Sequence, residues 1–423
     1  MSEWRDATIA GVARPKGLVG GPFGSNLVSR DYTESGVPVI RGQNLSSGRW
    51  VDFGNCAYVS GDKAARDLRG NIAEPGDLVY TQRGTLGQVA IMPSDSESSV
   101  ISQSQMRLRV DTSKADPLFV YYASTAPDFV RAVADHAIVA GVPHINLGIL
   151  GTLPIRLPSL SVQREIVAVL DSIDSLIENS RQRVGVLEDM ARTIYREWFV
   201  HFRYPGHESV PVVDSLLGPI PEGWVVGALG DLAVEVRDSV KRSDETRSLP
   251  YVPIDEMDSR SLTLYRSRPG DDAASSLRMF KEGDILFGAM RAYFHKVCLA
   301  PFDGVTRSTC FVLRSSPSWR VLPLFYLDDD DTVAYASNHS SGSTIPYAKW
   351  SGVLSERRVA LPPAPLAEAF SDVAEPMLAQ ARALASQIRT LAALRDLLLP
   401  KLVTGQIDVS GIDLDTLLGE SAA

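Results

Sequence analysis

At 423 residues the chain is long enough for two or three domains, and 44% hydrophobic with 22% charged residues is a globular composition. No run of about 18 apolar residues marks a membrane span, and Cys56, Cys298 and Cys310 lie too far apart for a zinc knuckle or a disulfide framework. A net charge of −9 excludes a protein that coats nucleic acid through bulk charge, but not one that touches it through local basic faces.

The N-terminus, Met1 to Asp6, has no basic start followed by an apolar core, so it predicts no secretory signal and, with the sparse cysteines, a cytoplasmic protein. Farther along, Val37 to Arg41, Leu78 to Thr81 and Gln105 to Val110 read as strands, and Leu118 to Val133 as a helix. From Ile166 the apolar residues Leu170, Ile173, Ile177, Val184, Leu187, Ala191, Ile194 and Trp198 step by fours and threes, broken only at Ser180. That is a heptad seam about 50 Å long, suited to one helix lying along another. Tyr204 to Glu222, with its Pro and Gly residues, reads as a linker. Strands follow at Tyr251 to Ile254, Asp284 to Phe287 and Cys310 to Arg314. A second seam runs Phe370, Val373, Met377, Gln380, Leu384, Gln387, Leu391, Leu394 and Leu398. Pro376 within it predicts a kink or a later helix start.

The same landmarks occur twice, in the same order, about 200 to 207 residues apart. Glu74-Pro75-Gly76-Asp77-Leu78 is echoed by Lys281-Glu282-Gly283-Asp284-Ile285, and Gly141-Val142-Pro143-His144-Ile145 by Gly342-Ser343-Thr344-Ile345-Pro346. Pro154 to Pro158 matches Arg358 to Pro363, and Ala191 to Tyr195 matches Leu394 to Leu398. One unit is therefore written twice. The expected fold is α+β: two tandem pseudo-repeated domains separated by two long antiparallel coiled-coil spacer helices. The boundaries read 1–158, first domain; 159–203, first helix; 204–360, linker and second domain; 361–400, second helix; 401–423, a tail returning to the first domain. The tail from Leu402 to about Leu418 should pack beside domain one, and the linker from His201 beside domain two.

No catalytic signature emerges. The chain has no Asn-Pro-Pro-aromatic methyltransferase string, no GxxxxGK[ST] phosphate loop and no evident Ser–His–Asp arrangement. His201, His207 and Glu208 lack further ligands, so no metal is expected, and the acidic run Asp328 to Asp331 reads as a solvated helix end or loop. The residues alone leave open a protein-binding coiled-coil scaffold, or a DNA methyltransferase or nuclease with an unrecognised active site.

Gly21-Pro22-Phe23-Gly24-Ser25, Gly36 to Leu45, and Pro75 to Val79 leading to Arg83-Gly84-Thr85-Leu86-Gly87 resemble the target-recognition domains of type I restriction–modification specificity subunits. Leu157 to Ile166 is similar to that family's first spacer helix, and Leu397 to Ile407 to its second. The second domain departs from the pattern, with Gly288-Ala289-Met290-Arg291 in place of the Gly-Thr-x-Gly turn. The resemblance implies a non-catalytic subunit that reads a bipartite site in double-stranded DNA. It implies two methyltransferase partners, joined in the full complex by restriction–translocation subunits, and no membrane. This chain would hold no cofactor; its partners would use S-adenosylmethionine, ATP and Mg.

Base readers are expected among polar residues on turns flanking strands: Arg41, Gln43, Asn44, Gln82, Arg83, Thr85, His144 and Asn146 in domain one. In domain two the candidates are Arg291, Tyr293, Lys296, Ser343, Thr344, Tyr347 and Lys349. The spacer seam is assigned to Ile166, Leu170, Ile173, Ile177, Val184, Leu187 and Ile194, and to Val373, Met377, Leu384, Leu391 and Leu398.

Overall fold

The structure is a computed structural model that describes residues 4–45, 48–139, 141–274, 277–342 and 344–409. The chain folds as two compact units. One comprises residues through Asp174 together with the chain from Ala393; the other is Ser175–Ala392. Each long helix therefore contributes one end to each unit.

In the first unit, strand Arg5–Thr8 pairs antiparallel with Pro154–Leu157, tying the chain start to the segment before the first long helix. A four-stranded antiparallel sheet follows the order Ala13–Gly20, Gln105–Val110, Leu78–Thr81, Val89–Ile91. Beside it lies a five-stranded sheet, with Val37–Ile40 parallel to Ser99–Ile101 and the other pairings antiparallel. The second unit repeats this frame. Val225–Ala228 pairs with Arg358–Leu361, and a four-stranded sheet runs Ala233–Glu235, Cys310–Ser315, Ile285–Gly288, Val297–Leu299. Its second sheet has three strands where the first unit has five.

The repeat extends to single atoms. Asp77 receives the backbone N–H of Glu74 and a two-pronged bond from Arg109, at 2.8 and 2.7 Å. Asp284 receives the N–H of Lys281 and the same fork from Arg314, both prongs at 2.7 Å. Both carboxylates are buried, where a lone charge would be costly and a forked, charge-assisted bond compensates. Gly76 and Gly283 make the preceding turns at φ +83° and +85°, a conformation that favours glycine.

The first long helix, Leu160–Tyr195, is pinned at its start by Gln163. The fully buried Gln163 amide donates to Pro158 O at 2.9 Å and accepts from the Asp116 N–H at 2.9 Å. Ile166, Leu170, Ile173, Ile177 and Val184 are buried, and Leu187 and Ile194 half-buried. Ser180, the break in the apolar pattern, is buried in the same stripe. Within the first unit Ile166 and Leu170 pack in one core with Leu399, Leu402 and Val403. In the second, Ala191 and Tyr195 pack with Phe370, Ala374 and Leu378, and Val184 with Ala381 and Leu384. In each unit, ascending numbers on one helix meet descending numbers on the other, so the helices run antiparallel there.

The second helix, Ala364–Val403, corrects the sequence reading twice. It passes through Pro376 without interruption, because buried Ala374 and Leu378 hold the turns on either side in the core while Pro376 itself faces outward. Its stripe is also not the one expected. Val373 is 38% exposed, and Met377, Leu391 and Leu398 are only half-buried, leaving Leu384 alone of that set buried. The buried positions that the heptad reading missed include Ala367, Ala374, Leu378, Ala381, Ala385 and Ile388. Alanine lets helices approach closely, yet it gives little hydrophobic contrast in a sequence pattern.

Two further expectations change. Leu118 to Val133 is two helices, Pro117–Thr125 and Pro127–Asp135, because Pro127 forces the preceding Ala126 into an extended conformation. Tyr251 to Ile254 is not a strand: Tyr251 makes isolated bridges, and after Pro253 a short 3-10 turn, Ile254–Glu256, takes over. The tail packs in the first unit as far as it is described: Val409 is buried there, Arg156 donates to Thr404 O at 3.1 Å, and Gly405 sits against Trp4. Residues 410–418 of that expectation lie outside the described residues. Phe202 and Tyr204 of the linker pack in the second unit's core.

Candidate nucleic-acid interface

Three segments of the first unit meet where its sheets end. The turn after strand Leu78–Thr81 and the segment Val142–Asn146 are laced together by backbone bonds: Ile145 N to Gln82 O, 2.9 Å, and Gly84 N to Pro143 O, 3.3 Å. Arg83 bridges His144, and His144 in turn pairs with Ile138 across a small loop. Arg83 and Thr85 are exposed, His144 and Gln82 half-buried. No carboxylate pairs with Arg83 among the described residues, so its charge faces solvent. The third segment follows strand Val37–Ile40, where Arg41 and Gln43 both donate to Asn55 O, at 3.2 and 2.8 Å. With Asn44, Asp52 and Cys56 they line an open polar cleft.

The second unit builds the same lacing. Ala348 N donates to Ala289 O at 2.9 Å, Met290 bridges Tyr347, and Tyr347 pairs with Ser341. Met290 and Tyr347 therefore stand where Arg83 and His144 stand in the first unit. The turn that follows differs: Arg291 is left-handed (φ +53°), Tyr293 is 54% exposed, and the chain leaves through left-handed His295 (φ +52°). Arg291 and Lys349 carry cations without a carboxylate partner among the described residues, and Thr344 and Lys349 are exposed. Ser343 lies outside the described residues.

Several of the expected readers are also engaged within the fold. Asn44 is fully buried; its amide accepts from the Arg41 N–H and donates to Asp52 O, so it shapes the loop. Asn146 caps the helix Leu147–Thr152 through a 2.9 Å bond from Ile149 N. Lys296 gives its ammonium to Ile254 O at 2.9 Å. Tyr347 is half-buried against Phe311, and burial pushes its hydroxyl up to about 12. The acidic run lies at a junction of two helix ends, as expected, but it is solvated only in part. Asp328 is buried, accepting from Arg192 Nε at 2.7 Å and facing His295 Nε2 at 3.0 Å, while Asp329 caps the helix Asp330–Asn338. Only Asp330 and Asp331 are exposed, as expected for the run. His201 faces Glu197 and His207 faces Tyr204 O, each held within its own segment.

Gln105 escaped the sequence reading because it looks like an ordinary strand residue. It starts the central strand Gln105–Val110, is fully buried, and accepts from the Ser102 hydroxyl. Its amide nitrogen has no partner and lies close to Gly42, beneath the Arg41–Asn44 segment. An unmet buried donor costs about 1–3 kcal/mol. Phe23, part of the string that carries the family resemblance but not among the expected readers, is 80% exposed on a loop held by the Gln103 side chain.

Known proteins share both sequence and fold with this chain. Residues 29–188 match the type I restriction modification DNA specificity domain. The chain is 23% identical over 401 residues to the type I restriction enzyme MjaIX specificity subunit of Methanocaldococcus jannaschii, covering 93% of this chain and 91% of that one. The chain is thus similar to type I specificity subunits, through a specificity-domain match in its first part and a relative aligned over most of its length. A second relative, the EcoDI specificity subunit of Escherichia coli, is 21% identical over 324 residues, 70% of this chain and 72% of its own. The crystal structure of the type I restriction–modification S subunit from M. genitalium shares the fold, with a TM-score of 0.55 at 16% identity over 95% of this chain and 96% of that one. No described helix is long and apolar enough to cross a membrane.

Proposed function

We propose that this chain is the non-catalytic reader of a type I restriction–modification complex, each unit recognising one block of a split DNA site. The observation that carries this is the doubled frame with divergent turns: identical lacing in both units presents Arg83 and Thr85 in one and Arg291 and Tyr293 in the other. Uncommitted guanidinium groups on exposed turns suit guanine edges and phosphates. The long helices would fix the gap between the two blocks and dock two methyltransferase subunits, with restriction–translocation subunits completing the complex in the cytoplasm. S-adenosylmethionine, ATP and Mg would be used by those partners. With a net charge of −9, the chain alone should bind DNA weakly and gain phosphate contacts from its partners.

The decisive experiment exchanges residues 1–155 for those of a relative and maps methylated adenines in the host genome. One half-site should change and the other persist. A change in both sinks modular reading. Methyl transfer by the purified chain alone, given S-adenosylmethionine and specific DNA, would show that it is itself an enzyme. DNA binding without sequence preference in the presence of the methyltransferase would return it to the scaffold class.

A further inference from the structure

The turn from Arg291 to His295 carries more than the frame requires. In the first unit the matching corners are Gly84 and Gly87, at φ +104° and +86°. In the second unit Arg291 and His295 hold those corners in the left-handed region, which is unfavourable for residues with a Cβ. Strain of this kind persists only where the surroundings over-determine the backbone. Here they do. Phe294 N donates to Arg291 O and His295 N to Ala292 O, each at 2.9 Å; Arg260 N donates to His295 O at 2.7 Å, and the Ser259 hydroxyl to Phe294 O. The His295 ring is buried, with Nε2 2.8 Å from Asp328 O and 3.0 Å from its Oδ1. The Asp328 carboxylate is in turn clamped by Arg192 of the first long helix.

What this anchoring holds up is a pair of aromatic rings. Tyr293 and Phe294 are 54% and 45% exposed, with ring centroids 4.8 Å apart and planes tilted by 54°. Beside them the chain supplies Arg291, whose guanidinium is unpaired among the described residues, and Arg260, paired with exposed Asp330. An apolar tip two rings wide with a cationic flank is too small for a protein-docking patch. It matches a gap between base pairs, where apolar wedges enter and the cost of unstacking depends on the step being opened.

We propose that Arg291–His295 is a preset aromatic finger: Tyr293 and Phe294 wedge into a base step of the second unit's half-site, and His295, clamped through Asp328 to Arg192, is the positioning residue that fixes its height. This rests on the DNA-reading function above. It adds a specificity determinant that acts through deformability of the step and not through base-edge hydrogen bonds.

The test uses the full chain with its methyltransferase partner, selecting from a library of randomised duplexes read by sequencing. Wild type should enrich a two-block site. Y293A/F294A should lose about tenfold of its discrimination at one step of one block and none in the other. His295→Gly keeps the left-handed corner without strain, as Gly87 does, and releases the clamp; it should melt close to wild type yet blur the same step. A 2-aminopurine placed at that step should brighten with wild type and stay dark with Y293A/F294A. A wild-type chain that enriches no sequence overturns the reading function and the finger with it. A wild type that enriches a two-block site which both variants read equally well, or variants that weaken both blocks alike, overturn the finger alone.

Discussion

In the first unit Asp77 and Arg109 close a forked ion pair on the strand that leads to a glycine turn; in the second, Asp284 and Arg314 close the same pair ahead of a turn cornered by Arg291 and His295. The duplicated part is thus backbone lacing and one buried carboxylate. The diverged part is what the lacing presents to solvent. A duplicated reader can change its target only where the copies differ, so the shared frame should matter for stability and the turns for sequence preference. That division can be broken experimentally at several places.

The largest effect should come from the helix pair. Phe370 is fully buried among Tyr195, Phe199 and Phe325. Phe370→Ala should therefore cost about 4 kcal/mol in denaturant unfolding of the second unit. Val373, which the heptad pattern assigns to the seam, should cost less than about 0.5 kcal/mol as Val373→Ala, because it is exposed. Equal losses at the two positions would mean that the helix is rotated relative to this structure.

The frame comes next. Arg109→Ala leaves the Asp77 carboxylate buried without its partner and should cost about 3 kcal/mol. Arg314→Ala should cost less, about 2 kcal/mol, since the Arg314 side chain is 44% exposed against 26% for Arg109 and water can reach Asp284 in its place. Neither change should alter base preference in the folded fraction. A shift in preference at unchanged affinity for the other block would show that the frame also reads DNA.

Much of this was legible beforehand, for identifiable reasons. The repeat is visible because Gly-Asp before an apolar strand is needed twice, once for a positive-φ turn and once for the buried pair. The first helix seam is visible because Ile166, Leu170, Ile173 and Ile177 contrast with their polar neighbours. The second seam is hidden because four of its buried positions, Ala367, Ala374, Ala381 and Ala385, are alanine, leaving exposed Val373, Leu394 and Leu397 to dominate the pattern. At the interface, residue type suggested Asn44 and Lys296, but burial and local hydrogen bonds commit both elsewhere. Gln105 and Phe294 carried no type-specific signal; only an orphaned amide and exposure on a strained turn single them out.

Smaller effects separate the turns themselves. Gly84→Ala must hold a Cβ at φ +104° and should destabilise the first unit by about 1 kcal/mol or more. Arg291→Gly relieves the corresponding strain and should stabilise the second by about 0.5–1 kcal/mol in thermal melts. If Arg291 reads a base, the same change that steadies the fold should blunt preference at one position. A turn that gains stability and keeps its preference would belong to the scaffold alone.

The smallest expected effect concerns a charge that only one copy carries. Glu188 is buried on the first helix, bonded by the Ser261 hydroxyl at 3.2 Å with Arg192 3.5 Å away. The register that matches Arg192 to Arg395 matches Glu188 to the apolar Leu391. Burial holds the Glu188 carboxyl above the ordinary value near 4.5, and its hydrogen bonds and Arg192 offset this only in part. An acid with a raised folded value binds its proton better when folded. Its contribution is therefore fully present below pH 4.5 and is lost as the pH rises through the folded value. Glu188→Gln mimics the protonated form, so it should melt about 1–2 °C above wild type at pH 7.5, with the gap closing towards pH 4. A melting point below wild type at pH 7.5 would mean that pairing with Arg192 outweighs burial, and that the first helix relies on a charge where the second carries a leucine.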